Sequence, residues 1–140
     1  MHVSRFRWPV DPQKTRVLVV EDDSDHQLLL RSFLNVMDHG NVVAVRDADS
    51  ALSEIETRRP SLAFLDIRLP GKIGGLDLLE SMSLLPSRPF VVMMTCESTL
   101  PNVQRARQLG ASHFIAKPFN GKKVHEALER FYGCSCPMQG

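Results

Sequence analysis

Short runs of aliphatic and β-branched residues alternate along the chain with longer stretches whose apolar positions recur at helical spacing. The first run spans Arg16 to Val20 and is followed at once by acid, Glu21-Asp22-Asp23. Asn41 to Val45, Leu62 to Leu65, Phe90 to Thr95 and Ser112 to Ala116 are runs of similar length. Apolar runs this short suit strands buried on both faces better than helices.

Between them, Ser24 and Gln27 have the form of a capping box, and Leu30, Phe33, Leu34 and Met37 then fall on one helical face. Ala48, Ala51, Leu52 and Ile55 repeat that spacing, as do Gly75, Leu78, Leu79 and Met82. Leu100, Val103 and Ala106 form a weaker stripe, with Pro101 placed in a first turn and Gly110 as a stop. Val124, Ala127, Leu128 and Phe131 form the last. The pattern predicts five strands and five helices in strict alternation. Such alternation implies parallel strands, right-handed crossovers and helices on both faces. Residues 16–132 carry the pattern, residues 1–15 are expected to be a flexible N-terminal extension, and residues 133–140 a C-terminal tail.

Composition sharpens this picture. A chain of 140 residues and 15.7 kDa is one domain, and 43% hydrophobic with 24% charged residues is a globular balance. Lys and Arg total 17 against 16 Asp and Glu, a net charge of +1, which removes the electrostatic case for nucleic-acid or membrane-surface binding. Three cysteines are too few and too odd for a disulfide framework, so a cytoplasmic setting is expected. No apolar run approaches the ~18 residues of a membrane helix, and the N-terminus lacks the apolar core of a secretory signal.

In parallel sheets, ligands sit outside the carboxyl ends of the strands. Here the first strand ends in Glu21-Asp22-Asp23, the third in Asp66, the fourth in Thr95 and the fifth in Lys117-Pro118. Converging at one edge, these residues would gather carboxylates, a hydroxyl and an ammonium in one pocket. Carboxylates so close repel one another unless a cation joins them. An all-oxygen donor set suits Mg²⁺, or Mn²⁺, with coordination positions left for a phosphoryl group. Lys117 would add a second positive charge, and Thr95 could donate to a phosphoryl oxygen. The turn EDDSD has no glycines and would repel a dinucleotide pyrophosphate, and no P-loop spacing is present.

The stretches RVLVVEDD, LAFLDIRLPG, VVMMTCES and ASHFIAKPF, in this order, resemble the receiver domains of two-component response regulators, chemotaxis regulators among them. The resemblance spans about residues 16 to 132. It implies a flavodoxin-like, doubly wound α/β/α fold with five parallel strands in the order 2-1-3-4-5. It implies that Asp66 is the phosphoacceptor, attacking the phosphohistidine of a histidine kinase or of a histidine phosphotransfer protein. Asp22 would then ligate Mg²⁺ directly, Glu21 would act beside it through water, and the backbone carbonyl of Arg68 would be a third ligand. Thr95 and Lys117 would contact the phosphoryl group. Pro118 would match the proline the family places after its lysine, often behind a cis bond. Phe114 would be the aromatic switch residue, its rotamer following Thr95. Arg68 and Glu97 occupy positions that tune phosphoryl lifetime in the family, and they are expected to pair across the pocket mouth.

Departures from the family pattern are visible. The loop LPGKIGGLDLL after Asp66 is one residue longer than the common form and lacks its acidic residue. Phe114 has no hydroxyl, so its switching would act through packing alone. An aspartyl-phosphate phosphohydrolase would share the chemistry, but it commonly has a second acid where Arg68 stands. The eight residues after Tyr132 are too few for a DNA-binding module. The sequence therefore predicts a stand-alone receiver, not an enzyme, that signals to an unidentified downstream protein. A phosphorelay intermediate is the alternative. A homodimer could form through the face of the fourth helix, fifth strand and fifth helix, which carries Arg105, Arg107, Lys122 and Lys123. Cys134 and Cys136 lack the partners of a closed zinc site. Cys96 reads as a small buried hydrophobe, His113 and His125 as surface residues, and Trp8 as part of an unstructured tail.

Overall fold

The computed structural model of the chain describes residues 6–96 and 100–133. Five strands, β1 (Val17–Val20), β2 (Val42–Val45), β3 (Leu62–Asp66), β4 (Phe90–Thr95) and β5 (His113–Ala116), are separated and followed by helices. These are α1 (Ser24–Val36), α2 (Ala48–Arg58), α3 (Gly75–Ser83), α4 (Leu100–Gln108) and α5 (Gly121–Tyr132). The strands form one parallel sheet in the order β2-β1-β3-β4-β5, as the resemblance implied. Among the described residues, no helix is long and apolar enough to cross a membrane.

Alternate residues of a strand face opposite sides of the sheet, and each side has its own core. Val17, Val19, Phe64, Val92, Met94 and Ile115 pack beneath α1 and α5 against Leu30, Leu34, Val124 and Leu128. Leu18, Val20, Ala63, Leu65, Val91 and Met93 pack beneath the other three helices against Ala51, Ile55, Leu78, Met82 and Ala106. β1 and β3 are buried along their whole length because both faces are covered. Register then fixes the site. Val20 lies opposite Leu65, and Asp66 opposite Met94, while Thr95 lies opposite Ala116. The residues that follow the strands therefore emerge side by side at one edge.

Two local expectations change. Asp23, not Ser24, caps α1, its carboxylate accepting the backbone N–H groups of Asp25 at 2.9 Å and His26 at 3.0 Å. The capping box does not form, because Gln27 instead donates to the carbonyl of Glu21 at 2.9 Å, where it holds the end of β1. The helix start thus shifts by one residue while its buried face stays as predicted.

The second change concerns residues 6–15, which carry no periodicity but are anchored to the domain through Phe6, Trp8 and Thr15. Phe6 is buried in the core beneath α1 and α5, and Pro12–Lys14 form a short 3₁₀ helix. Trp8 donates its indole N–H to the carbonyl of Met37 at 3.0 Å and meets His39 edge-on, with Tyr132 and His125 beside it. His39 is fully buried. Its Nδ1 faces the Met37 carbonyl at 2.8 Å and its Nε2 the Tyr132 hydroxyl at 2.6 Å, which in turn meets Thr15 at 2.9 Å. A carbonyl can only accept, so Nδ1 donates, and in the neutral ring that burial favours Nε2 accepts from Tyr132. The segment becomes ordered because it completes this aromatic cluster, a tertiary effect invisible to periodicity. His125 is half-buried in the cluster rather than on the surface, and it also meets Glu129 at 2.8 Å. Cys96, in contrast, is exposed. Cys134 and Cys136 lie outside the described residues.

Candidate functional site at the carboxyl edge of the sheet

Glu21 leaves the end of β1 with its backbone N–H still bonded to the Val45 carbonyl at 3.0 Å, so its side chain turns inward over the sheet edge. Asp22 follows it. Arg46, just past β2, donates to the Asp22 carbonyl at 2.8 Å and to Ser24 at 3.3 Å, which fixes the turn into α1. Asp66 is the last residue of β3, and Thr95 the last of β4. Lys117 follows β5, held by its N–H on the Thr95 carbonyl at 2.9 Å, and the Lys117-Pro118 bond is cis.

The four strand ends bring Glu21, Asp66, Thr95 and Lys117 together, with Asp22 beside them. Glu21, Asp66 and Thr95 are buried, and the Lys117 side chain is only 7% exposed. The Lys117 ammonium bonds Glu21 and, at 2.6 Å, Oδ2 of Asp66. The other oxygen of Asp66 accepts the Arg68 backbone N–H at 3.0 Å. Burial and the neighbouring Asp66 raise the carboxyl pKa of Glu21 above its ordinary range, and Lys117 only partly offsets them. Burial alone would lower the Lys117 pKa, but hydrogen bonds and charge from Asp66 and Glu21 outweigh it and hold the ammonium protonated.

Carboxylate oxygens of Glu21, Asp22 and Asp66 lie within 4.8 Å of one another. Three acids at that spacing, with one ammonium between two of them, leave negative charge to be balanced. Their oxygen-only donor set fits a hard divalent cation. The loop after Asp66 is shaped by contact. A Cβ on Gly75 would stand 2.1 Å from the Asp66 carbonyl oxygen, so only glycine lets α3 begin that close to the acceptor. Gly71 takes φ +92°, and Asp77 accepts the Gly74 N–H at 3.1 Å. The longer loop thus closes without the acidic residue of the common form.

Phe114 is half-buried against the core of the α2, α3 and α4 side, with the Arg107 guanidinium 5.6 Å from its ring centre. Arg68 is exposed, and Glu97 lies outside the described residues. One residue at this edge escaped the sequence reading. His26, in the first turn of α1, puts Nδ1 at 3.2 Å from the Lys117 ammonium and 3.3 Å from Oε1 of Glu21. Its place in the first turn of the helix that follows Glu21-Asp22-Asp23 was the available signal.

Comparison with known proteins decides the family. The family model described as the response regulator receiver domain matches residues 17–129. The chain belongs to this family. It is 38% identical over 116 residues to the nitrogen assimilation regulatory protein NtrX of Azorhizobium caulinodans, an alignment covering 81% of the chain and 25% of that relative. It is 28% identical to the sporulation initiation phosphotransferase F of Bacillus subtilis, covering 83% of the chain and 92% of the relative. Among solved structures, the receiver domain of NtrX from Brucella abortus matches with a TM-score of 0.77 and 35% identity, covering 85% of this chain and 99% of that one. The chain thus spans a quarter of one relative and nearly all of the other. It is a receiver domain of two-component signalling, a family of phosphoacceptors.

Proposed function

We propose that this receiver takes a phosphoryl group onto Asp66 from the phosphohistidine of a sensor histidine kinase or histidine phosphotransfer protein. It then signals through a protein–protein contact that phosphorylation remodels. The reading rests chiefly on one arrangement: Asp66, its carboxylate pinned by the Arg68 N–H and the Lys117 ammonium, stands within 4.8 Å of two further acids. A carboxylate oxygen of Asp66 attacks phosphorus as the P–N bond breaks, and the electron pair leaves on the donor imidazole. The protein contributes positioning and charge more than covalent chemistry.

Glu21, Asp22, Asp66 and the Arg68 carbonyl would hold Mg²⁺, with Mn²⁺ as a substitute. The bound cation would supply positive charge opposite the incoming phosphoryl oxygens. Lys117 transfers its ammonium from Asp66 to a phosphoryl oxygen, and the Thr95 hydroxyl donates to another. The product carries roughly two negative charges, which draw Thr95 and Lys117 inward. Because β4 and β5 are paired through Thr95 and Ala116, that movement reaches Phe114 and the α4-β5-α5 face. That face, with Arg105, Arg107, Lys122 and Lys123, is the proposed contact surface for a downstream protein or a second copy.

A phosphorelay role, with phosphate passed onward to a histidine phosphotransfer protein, is the alternative, and it is consistent with the likeness to the sporulation phosphotransferase. Incubation with acetyl phosphate or beryllofluoride, with and without Mg²⁺, tests the reading. Mg²⁺-dependent modification at Asp66, absent in Asp66→Asn, is expected. Its absence in the unaltered protein refutes the proposal.

A further inference from the structure

A lysine ammonium has three N–H donors and accepts nothing. In this site Lys117 directs one to Glu21 and one to Oδ2 of Asp66, and Nδ1 of His26 lies 3.2 Å from the same nitrogen. An N–H on Nδ1 would point at a cation, so the ring is assigned with its lone pair at Nδ1 and its proton on Nε2. The 43% exposure of the imidazole leaves Nε2 room to donate to water. The 3.3 Å approach of Nδ1 to Glu21 then follows from both groups sharing one ammonium.

The three acceptors are not equivalent in the proposed reaction. Glu21 and Asp66 both belong to the donor set for the divalent cation, and Asp66 is also the nucleophile. With those carboxylates serving a cation and the phosphoryl group, the ammonium would lose the bonds they give it and keep only the phosphoryl oxygen and whatever else holds it in place. Among the described residues that meet the ammonium, His26 is the partner with neither task. It approaches from α1, an element anchored independently by the Asp23 cap and by the buried Leu30 and Leu34.

We infer that His26 is a positioning residue for phosphoryl transfer, its Nδ1 accepting the third N–H of Lys117 and holding that ammonium over Asp66 while the carboxylates change partners. The inference rests on the receiver reading above. It adds a determinant from the first turn of α1 that sets the rate of transfer without touching the phosphoryl group.

The test uses the whole chain with His26→Ala, His26→Asn and His26→Gln. Asparagine places an acceptor oxygen near the position of imidazole Nδ1, and glutamine places its own nearer Nε2. The rate of Asp66 phosphorylation by acetyl phosphate is measured at saturating Mg²⁺, and Mg²⁺ affinity separately by calorimetry. His26→Ala is expected to be about tenfold slower, the effect of one hydrogen bond to a charged group, with Mg²⁺ affinity within twofold of the unaltered protein. His26→Asn should recover most of the rate, and His26→Gln less. Rates within twofold for His26→Ala overturn the inference while leaving the receiver reading intact. So does equal slowing in His26→Ala and His26→Asn, or a fall in Mg²⁺ affinity that accounts for the lost rate. No modification of the unaltered protein overturns the receiver reading, and this inference with it.

Discussion

Lys117→Met keeps the side-chain stem and removes the ammonium, leaving Glu21 and Asp66 buried without a cation. The contribution of each carboxyl is bounded. Glu21, with an ordinary pKa of 4.5, can be destabilised at pH 7 by at most about 3.4 kcal/mol, at 1.36 kcal/mol per decade of proton affinity, before it takes up a proton instead. The bound falls to about 0.7 kcal/mol at pH 5 by the same relation. Breaking a buried ion pair by removing one partner typically costs about 3–5 kcal/mol. The expected loss at pH 7 is therefore about 3 kcal/mol, or roughly 10 °C in Tm for a domain of this size. Urea and thermal unfolding in EDTA measure it. Mg²⁺ at about a hundred times its Kd should recover about 2.7 kcal/mol, because the metal replaces the missing charge. A loss below about 1 kcal/mol, or one of equal size at pH 5 and pH 7, would refute the reasoning.

Three further outcomes follow, two from particular contacts and one from the expected pairing of Arg68 with Glu97. Burial holds the pKa of His39 below its ordinary 6.5, so the folded state prefers the neutral ring, and stability present above about pH 6.5 falls as the pH drops. Urea midpoints between pH 7.5 and 5 should show this slope, up to about 1.4 kcal/mol per pH unit, and His39→Asn should flatten it. Gly75→Ala puts a methyl group 2.1 Å from the Asp66 carbonyl oxygen; displacement of that backbone should cost about 3 kcal/mol and slow phosphorylation by acetyl phosphate. Replacing both Arg68 and Glu97 by alanine should shorten the phosphoryl half-life, because the proposed pair impedes attacking water. An unchanged half-life in a phosphate-release assay removes that role.

The sequence alone determined the alternation of strands and helices, the buried faces of α1, α2, α3 and α5, and the strand ends at which Glu21, Asp22, Asp66, Thr95 and Lys117 stand. These are local facts. Val17–Val20 and Leu62–Leu65 are apolar throughout because both sides of a central parallel strand are covered, and Ala48, Ala51 and Ile55 repeat because one side of α2 is. Tertiary structure decided what depends on neighbours distant in the chain. Gln27 left the expected capping box because the Glu21 carbonyl at the end of β1 was within its reach. Trp8 and Thr15, which no periodicity marks, joined the domain because Met37 and Tyr132 stood ready to bond them. His26 acquired a place beside Lys117 only when α1 was laid over the carboxyl edge, 91 residues apart along the chain. Pattern records which face of an element is covered; contact between elements is settled by register and packing, which no single stretch of sequence contains.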